Sequence, residues 1–120
     1  MRIITLMLFV VAVTAQADEA ACLAEIIYSE ARGESAVGKM AVAEASINRA
    51  IRTGRDLCSI RGVTRRRVPT DYRPDYRAIA RLVMATERTI VGVADSWDTG
   101  MNLGHRIGRH RFYRMIGQLR

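Results

Sequence analysis

The segment from Ser35 to Gly54 constrains the fold most, because it is one long, largely apolar helical pattern with a start signal and a stop signal. Ser35 can accept a hydrogen bond from the first turn and so cap the helix, and Gly54 suits the left-handed residue that ends one. Between them Val37, Met40, Ala41, Ile47 and Ile51 share one broad face. A helix this apolar leaves little surface for solvent and is predicted to run through the centre of the domain, to about Thr53. With 120 residues in all, the chain has room for one modest core around such a helix and no more.

Two further helices are predicted around it. Leu23, Ile26 and Ile27 recur at helical spacing from Cys22 to Arg32, with Gly33 placed to end the helix in a left-handed turn. Pro74 and Asp75 open a third, running to about Val91, with Tyr76, Ile79, Ala80, Val83, Met84 and Ile90 on its core face. Residues 55–75 contain Gly62, Pro69, Pro74 and the run Arg65-Arg66-Arg67, which predicts a long surface loop with at most a short hairpin. From Ala94 to Tyr113 the glycines Gly100, Gly104 and Gly108 fall every four residues and divide the chain into short pieces.

The N-terminus reads as an address. Arg2 precedes an apolar run from Ile3 to Val13, and Ala15-Gln16-Ala17 follows as a small-residue cleavage site. Residues 1–17 are therefore predicted to be a signal peptide and 18–120 the folded domain, exported to the periplasm or cell wall. The apolar run falls short of the roughly 20 residues that a spanning helix needs, so no stable membrane span is expected after cleavage. A retained N-terminal anchor is the other reading. Export gives Cys22 and Cys58, the two cysteines of the chain, an oxidising environment in which they can bridge, closing a loop of about 35 residues. Two buried free thiols are the alternative.

Composition narrows the partners only a little. Eighteen of the 19 cations are Arg, and without Arg2 the formal charge is +6, which suits an acidic partner. No nucleic-acid recognition motif is present, and nucleic acid is not expected. His105 and His110 lack a third ligand nearby, so neither a metal nor another cofactor is predicted. Serine-elbow, cysteine-nucleophile and phosphate-loop patterns are missing too.

The carboxylates are more informative. Glu30 follows Leu23 by seven positions and so lies about 20° from it, on the apolar face of its helix. Desolvation there would raise its pKa and suit it to protonate a leaving oxygen near neutral pH, as in the lysozyme pattern. The same spacing fits a structural Glu paired with Arg. Glu44 follows Val37 by seven and raises the same question, either as a second acid or as an internal hydrogen-bond acceptor. Tyr72 and Trp97 are the aromatic residues best placed to stack on a sugar ring, whereas Phe112 and Tyr113 fit core and rim packing equally well.

The run Cys22-Leu-Ala-Glu-Ile-Ile-Tyr-Ser-Glu-Ala-Arg-Gly-Glu34, followed by Gly38-Lys-Met-Ala-Val-Ala-Glu-Ala-Ser-Ile-Asn-Arg49, resembles the SleB-type cell wall hydrolase family, which includes spore cortex-lytic enzymes. Cys58 and the closing Ile107-Gly-Arg-His-Arg-Phe-Tyr113 also look like family features. The resemblance implies a small lysozyme-like domain, mainly α with some β (α+β). It also implies cleavage of peptidoglycan glycan strands between N-acetylmuramic acid and N-acetylglucosamine, with Glu30 as the catalytic acid. A lytic transglycosylase would need no second acid, and a muramidase would give Glu44 a larger role. The family's Gln-aromatic-Ser-Trp segment is replaced here by Thr64-Arg-Arg-Arg-Val-Pro-Thr70, and its Gly-Ala segment is reduced to Ala94-Asp-Ser-Trp97. Those departures keep a second reading in view, a module of the same fold that binds peptidoglycan without cleaving it, and on either reading the protein is expected to be a monomer. The compact size suits a phage lysin as well as a bacterial remodelling enzyme. A basic protein that binds polyanions through its arginines is a third reading.

Overall fold

A computed structural model describes residues 19–60, 67–100 and 104–115. The predicted signal segment 1–17 lies outside the described residues, as do Arg65 and Arg66. The order is α1 (residues 19–31), α2 (Ala36–Thr53), α3 (Leu57–Ile60), a 3-10 turn (Thr70–Tyr72) and α4 (Arg73–Ala85). Then come β1 (Ser96–Asp98), β2 (His105–Ile107) and β3 (His110–Tyr113). The fold is mainly helical with a small antiparallel sheet, which is the α+β class the sequence predicts.

Leu23, Ile26 and Ile27 of α1 are buried as their spacing predicts, together with Ala24 and Ala31. The helix already runs at residue 19, ahead of Cys22, and stops at 31. Gly33 is not left-handed; the turn closes instead through the Glu34 N–H on the Ala31 carbonyl, at 3.0 Å.

Helix α2 has the predicted limits. Ser35 Oγ accepts from the Gly38 N–H at 3.2 Å, and Gly54 sits at φ 64° with its N–H on the last turn. Its core, however, is the continuous run Ala41 to Ser46, while the predicted face residues Val37 and Ile51 are 52% and 64% exposed. The reason is that α2 packs against α4, α3, β1 and β2. Its middle is enclosed from several sides, and its end turns project past that core. Alanines suit this position because they let neighbouring backbones approach closely. Ser46 satisfies its hydroxyl on the Val42 carbonyl at 2.7 Å.

Residues 57–60 are helix and not the predicted loop. Asp56 accepts from the Ser59 N–H at 2.7 Å and sets up α3, whose Leu57 is buried. From α3 the Cys58 sulfur bridges to Cys22 of α1, with a Cα–Cα distance of 5.1 Å.

Helix α4 begins at Arg73, with Pro74 in its first turn, where a missing N–H costs nothing. It buries Tyr76, Ala80 and Val83. It ends at Ala85, six residues before the predicted Val91. Thr86 turns to extended backbone, and the N–H groups of Ile90 and Val91 are taken by the Glu44 carboxylate instead of by a preceding helical turn. The two segments meet only in the folded chain, so a local pattern does not reveal this stop.

The sheet has the order β1-β3-β2, all antiparallel. Trp97 pairs with Phe112, and Ile107 with His110 around a two-residue turn at Gly108 and Arg109. Gly108 has φ 59° at the first turn position, which a primed turn requires. His110 and Phe112 point into the protein. A hairpin thus joins β2 and β3, whereas residues 61–66, within the span for which a short hairpin is predicted as an option, lie outside the described residues. Among the described residues no helix is long and apolar enough to cross a membrane.

Candidate functional site

One stripe of α2 positions residues 90–95, the segment between α4 and β1. Glu44, Asn48 and Arg52 are spaced four apart and therefore lie one above another on the helix. Glu44 accepts from the Ile90 N–H at 3.0 Å and from the Val91 N–H at 3.5 Å. Asn48 Nδ2 donates to the carbonyls of Gly92 and Ala94, both at 2.7 Å. Arg52 pairs with Asp95, and neighbouring Arg49 donates its Nε to the Asp95 carbonyl at 3.0 Å. Residues 90–95 are thereby clamped along the helix, and β1 leaves the clamp with Trp97 pointing back toward α1.

Asp95 is the buried knot of this arrangement. Burial by itself would raise its pKa, but the Met115 N–H, the Ser96 hydroxyl and Arg52 together hold it below its ordinary value. The Met115 bond is 2.8 Å, so the same carboxylate ties the chain after β3 to the chain before β1.

Glu30 lies in the last turn of α1 and is partly buried. Its Oε2 accepts a long 3.5 Å contact from Trp97 Nε1. On the ring face the Arg49 guanidinium stands 4.5 Å from the Trp97 centroid, a cation–π distance that holds the indole in orientation. Burial lowers the Arg49 pKa, and the negative charges of Asp95 and Glu30 oppose that shift. A carboxylate, an indole and a half-buried cation therefore meet at the junction of α1, α2 and β1. Trp97 is partly buried and packs against the core, less open than the neighbouring acids suggest.

A second acid docks one turn further on. Glu34 Oε1 accepts from the Arg109 backbone N–H at 3.2 Å and from Arg109 Nε at 3.0 Å, and His110 Nδ1 lies 3.5 Å away. The Arg109 side chain is the leading cause of a Glu34 pKa below its ordinary value. The approach is close on both sides. A Cβ at Gly38 would stand 2.8 Å from the Glu34 Cβ, and one at Gly108 would overlap the Glu34 carboxylate. Glu30 and Glu34 thus seat the end of α1 on the sheet, one against β1 and the other against the β2–β3 turn. The helical wheel singles out Glu30 and gives Glu34, which follows Gly33, no role. The glycine in a predicted turn beside Arg109 and His110 was the available signal, and nothing local joins it to residue 34.

The other sequence-predicted residues fall elsewhere. Glu44 is 3% exposed, with its oxygens directed at the amides of residues 90 and 91. Tyr72 is 56% exposed and lines a groove of about 480 Å³ with Tyr28, Arg32, Lys39 and Tyr76. Tyr28 lies about 160° around α1 from Glu30 at 100° per residue, so the Tyr72 groove flanks the opposite side of that helix. Trp97 is brought to Glu30 and Tyr72 is not. His105 is exposed and His110 buried, and among the described residues no group of three metal-binding side chains forms. No family model, curated protein or solved structure matches the chain.

Proposed function

We propose that the protein is an exported enzyme that cleaves peptidoglycan glycan strands between N-acetylmuramic acid and N-acetylglucosamine, with Glu30 as both acid and base. The observation that carries this reading is the Glu30 carboxylate set beside the Trp97 indole, with Arg49 fixing the ring. An indole face can cover the apolar face of a sugar, and a carboxyl at its edge is placed to reach a glycosidic oxygen. The resemblance of residues 22–49 to the SleB-type hydrolases supports the same assignment.

In the proposed reaction the Glu30 carboxyl gives its proton to the leaving glycosidic oxygen as the bond from the muramic C1 breaks. The resulting carboxylate then removes the proton of the muramic 6-hydroxyl while that oxygen closes on C1, forming a 1,6-anhydro end. One carboxyl ends as it began, and no water enters. The engagement of Glu44 with two backbone amides favours this one-carboxyl route over hydrolysis with a second acid. Trp97 is the proposed sugar contact at the acid, and the Tyr72 groove would meet glycan only on the far flank of α1.

The test is release of soluble fragments from dye-labelled sacculi by the full chain and by Glu30→Gln. Gln keeps an oxygen that Trp97 Nε1 can donate to, so the fold should survive, as circular dichroism would verify. Loss of release in the folded variant is expected. Equal release by both proteins would refute the role of Glu30. Sacculus binding without release by either would instead establish a non-catalytic module.

A further inference from the structure

Toward the N-terminal end of α1, away from Glu30, lies a cavity of about 390 Å³ whose walls include Ala24 and Glu25 of α1, Arg67 and Val68, and Arg73 and Arg77 of α4. Among the described residues three guanidiniums and one carboxylate line it, an excess of positive charge. Arg73 and Arg77 are partly buried. Among the described residues the ion pairs join Arg52 to Asp95 and Arg109 and His110 to Glu34, and none draws on these three arginines. Like charges one helical turn apart, as at positions 73 and 77, repel and destabilise a helix unless an anion joins them. Arg73 is already fixed, because its Nε donates to the Val68 carbonyl at 2.9 Å, which leaves its terminal nitrogens to face the cavity contents.

We propose that this cavity is a binding site for a dianionic phosphoryl group, such as a phosphomonoester. The three guanidiniums select it. A phosphomonoester carries about −1.5 to −2 near neutral pH and offers three acceptor oxygens to forked guanidinium donors, whereas a carboxylate brings a single charge and two oxygens. The volume falls in the range of small-molecule sites and leaves room for an organic substituent such as a sugar ring over the alanine floor. The site is separate from Glu30 and does not depend on the reaction proposed there.

The test is calorimetric titration of the full chain, at fixed ionic strength, with inorganic phosphate, glucose 6-phosphate and acetate. Saturable one-to-one binding of both phosphates is expected, with acetate weaker by about tenfold or more. Arg77→Gln should weaken phosphate binding by about tenfold or more, while Arg88→Gln, exposed and lining a different cavity, should leave it unchanged. Co-sedimentation with phosphatidic acid vesicles separates the two sources of such a group. Vesicle binding that is lost in Arg77→Gln assigns a lipid headgroup, and binding of the soluble phosphates alone assigns a soluble or polymer-borne ester. No saturable binding, equal affinity for acetate, or equal effects of the two Arg variants would overturn the proposal.

Discussion

Replacing Glu44 separates its two sequence readings, because the structure gives it definite work as an anchor. In Glu44→Ala the Ile90 and Val91 amides lose acceptors now at 3.0 and 3.5 Å, beside a newly emptied space in the core. An amide left without its acceptor costs about 1–3 kcal/mol when buried. The second bond is long and the segment only partly buried, so both amides and the cavity together should cost about 2–4 kcal/mol. In a domain of this size that lowers Tm by something on the order of 10–20 °C. Glu44→Gln keeps one acceptor oxygen and loses only the charge assistance, which should cost about 1 kcal/mol. Thermal unfolding followed by circular dichroism gives the stabilities, and fragment release from sacculi at a temperature where every variant is folded gives the activity. Glu44→Gln should be mildly destabilised and active. A Glu44→Gln protein as stable as the parent but inactive would refute the anchoring argument and make Glu44 a reacting group.

Two other expectations concern stability. The Cys22–Cys58 bridge spans 36 positions, so replacing both cysteines with Ala should cost about 3.8 kcal/mol on the loop-entropy relation; an unchanged urea midpoint would contradict it. Glu34 and Asp95 both have pKa values lowered by folding, from ordinary values of 4.5 and 3.8. Their contribution is therefore complete above those ordinary values and is lost as the pH falls through the lowered ones. Urea unfolding of the parent should lose stability across this acidic range, and Glu34→Gln should lose less; equal acid sensitivity of the two would count against the Glu34 to Arg109 contact.

The parts of the fold legible in the sequence are those set by local chemistry. The cap at Ser35 and the stop at Gly54 bound α2 because both act within one turn of the helix. Glu30 stood out because an acid on an apolar stripe can be seen on a helical wheel. The end of α4 is not legible, because Glu44, 46 positions earlier, takes the Ile90 amide, and helical spacing carries no information about that competitor. The sheet was illegible for a related reason. Its strands have three or four residues, too few for an alternation to register, and the β2–β3 turn is held by Glu34, 75 positions away from Arg109. Tyr72 and Trp97 are alike in the sequence as candidates to stack on a sugar ring, and only the packing of β1 on α2 distinguishes the one that reaches Glu30.

The most direct measurement is mass spectrometry of the fragments released from purified sacculi by the full chain, beside its Glu30→Gln variant. Fragments ending in 1,6-anhydro-muramic acid from the parent, and none from the variant, are the predicted result. Reducing muramic ends, or the same fragments from both proteins, would contradict a single-carboxyl reaction at Glu30.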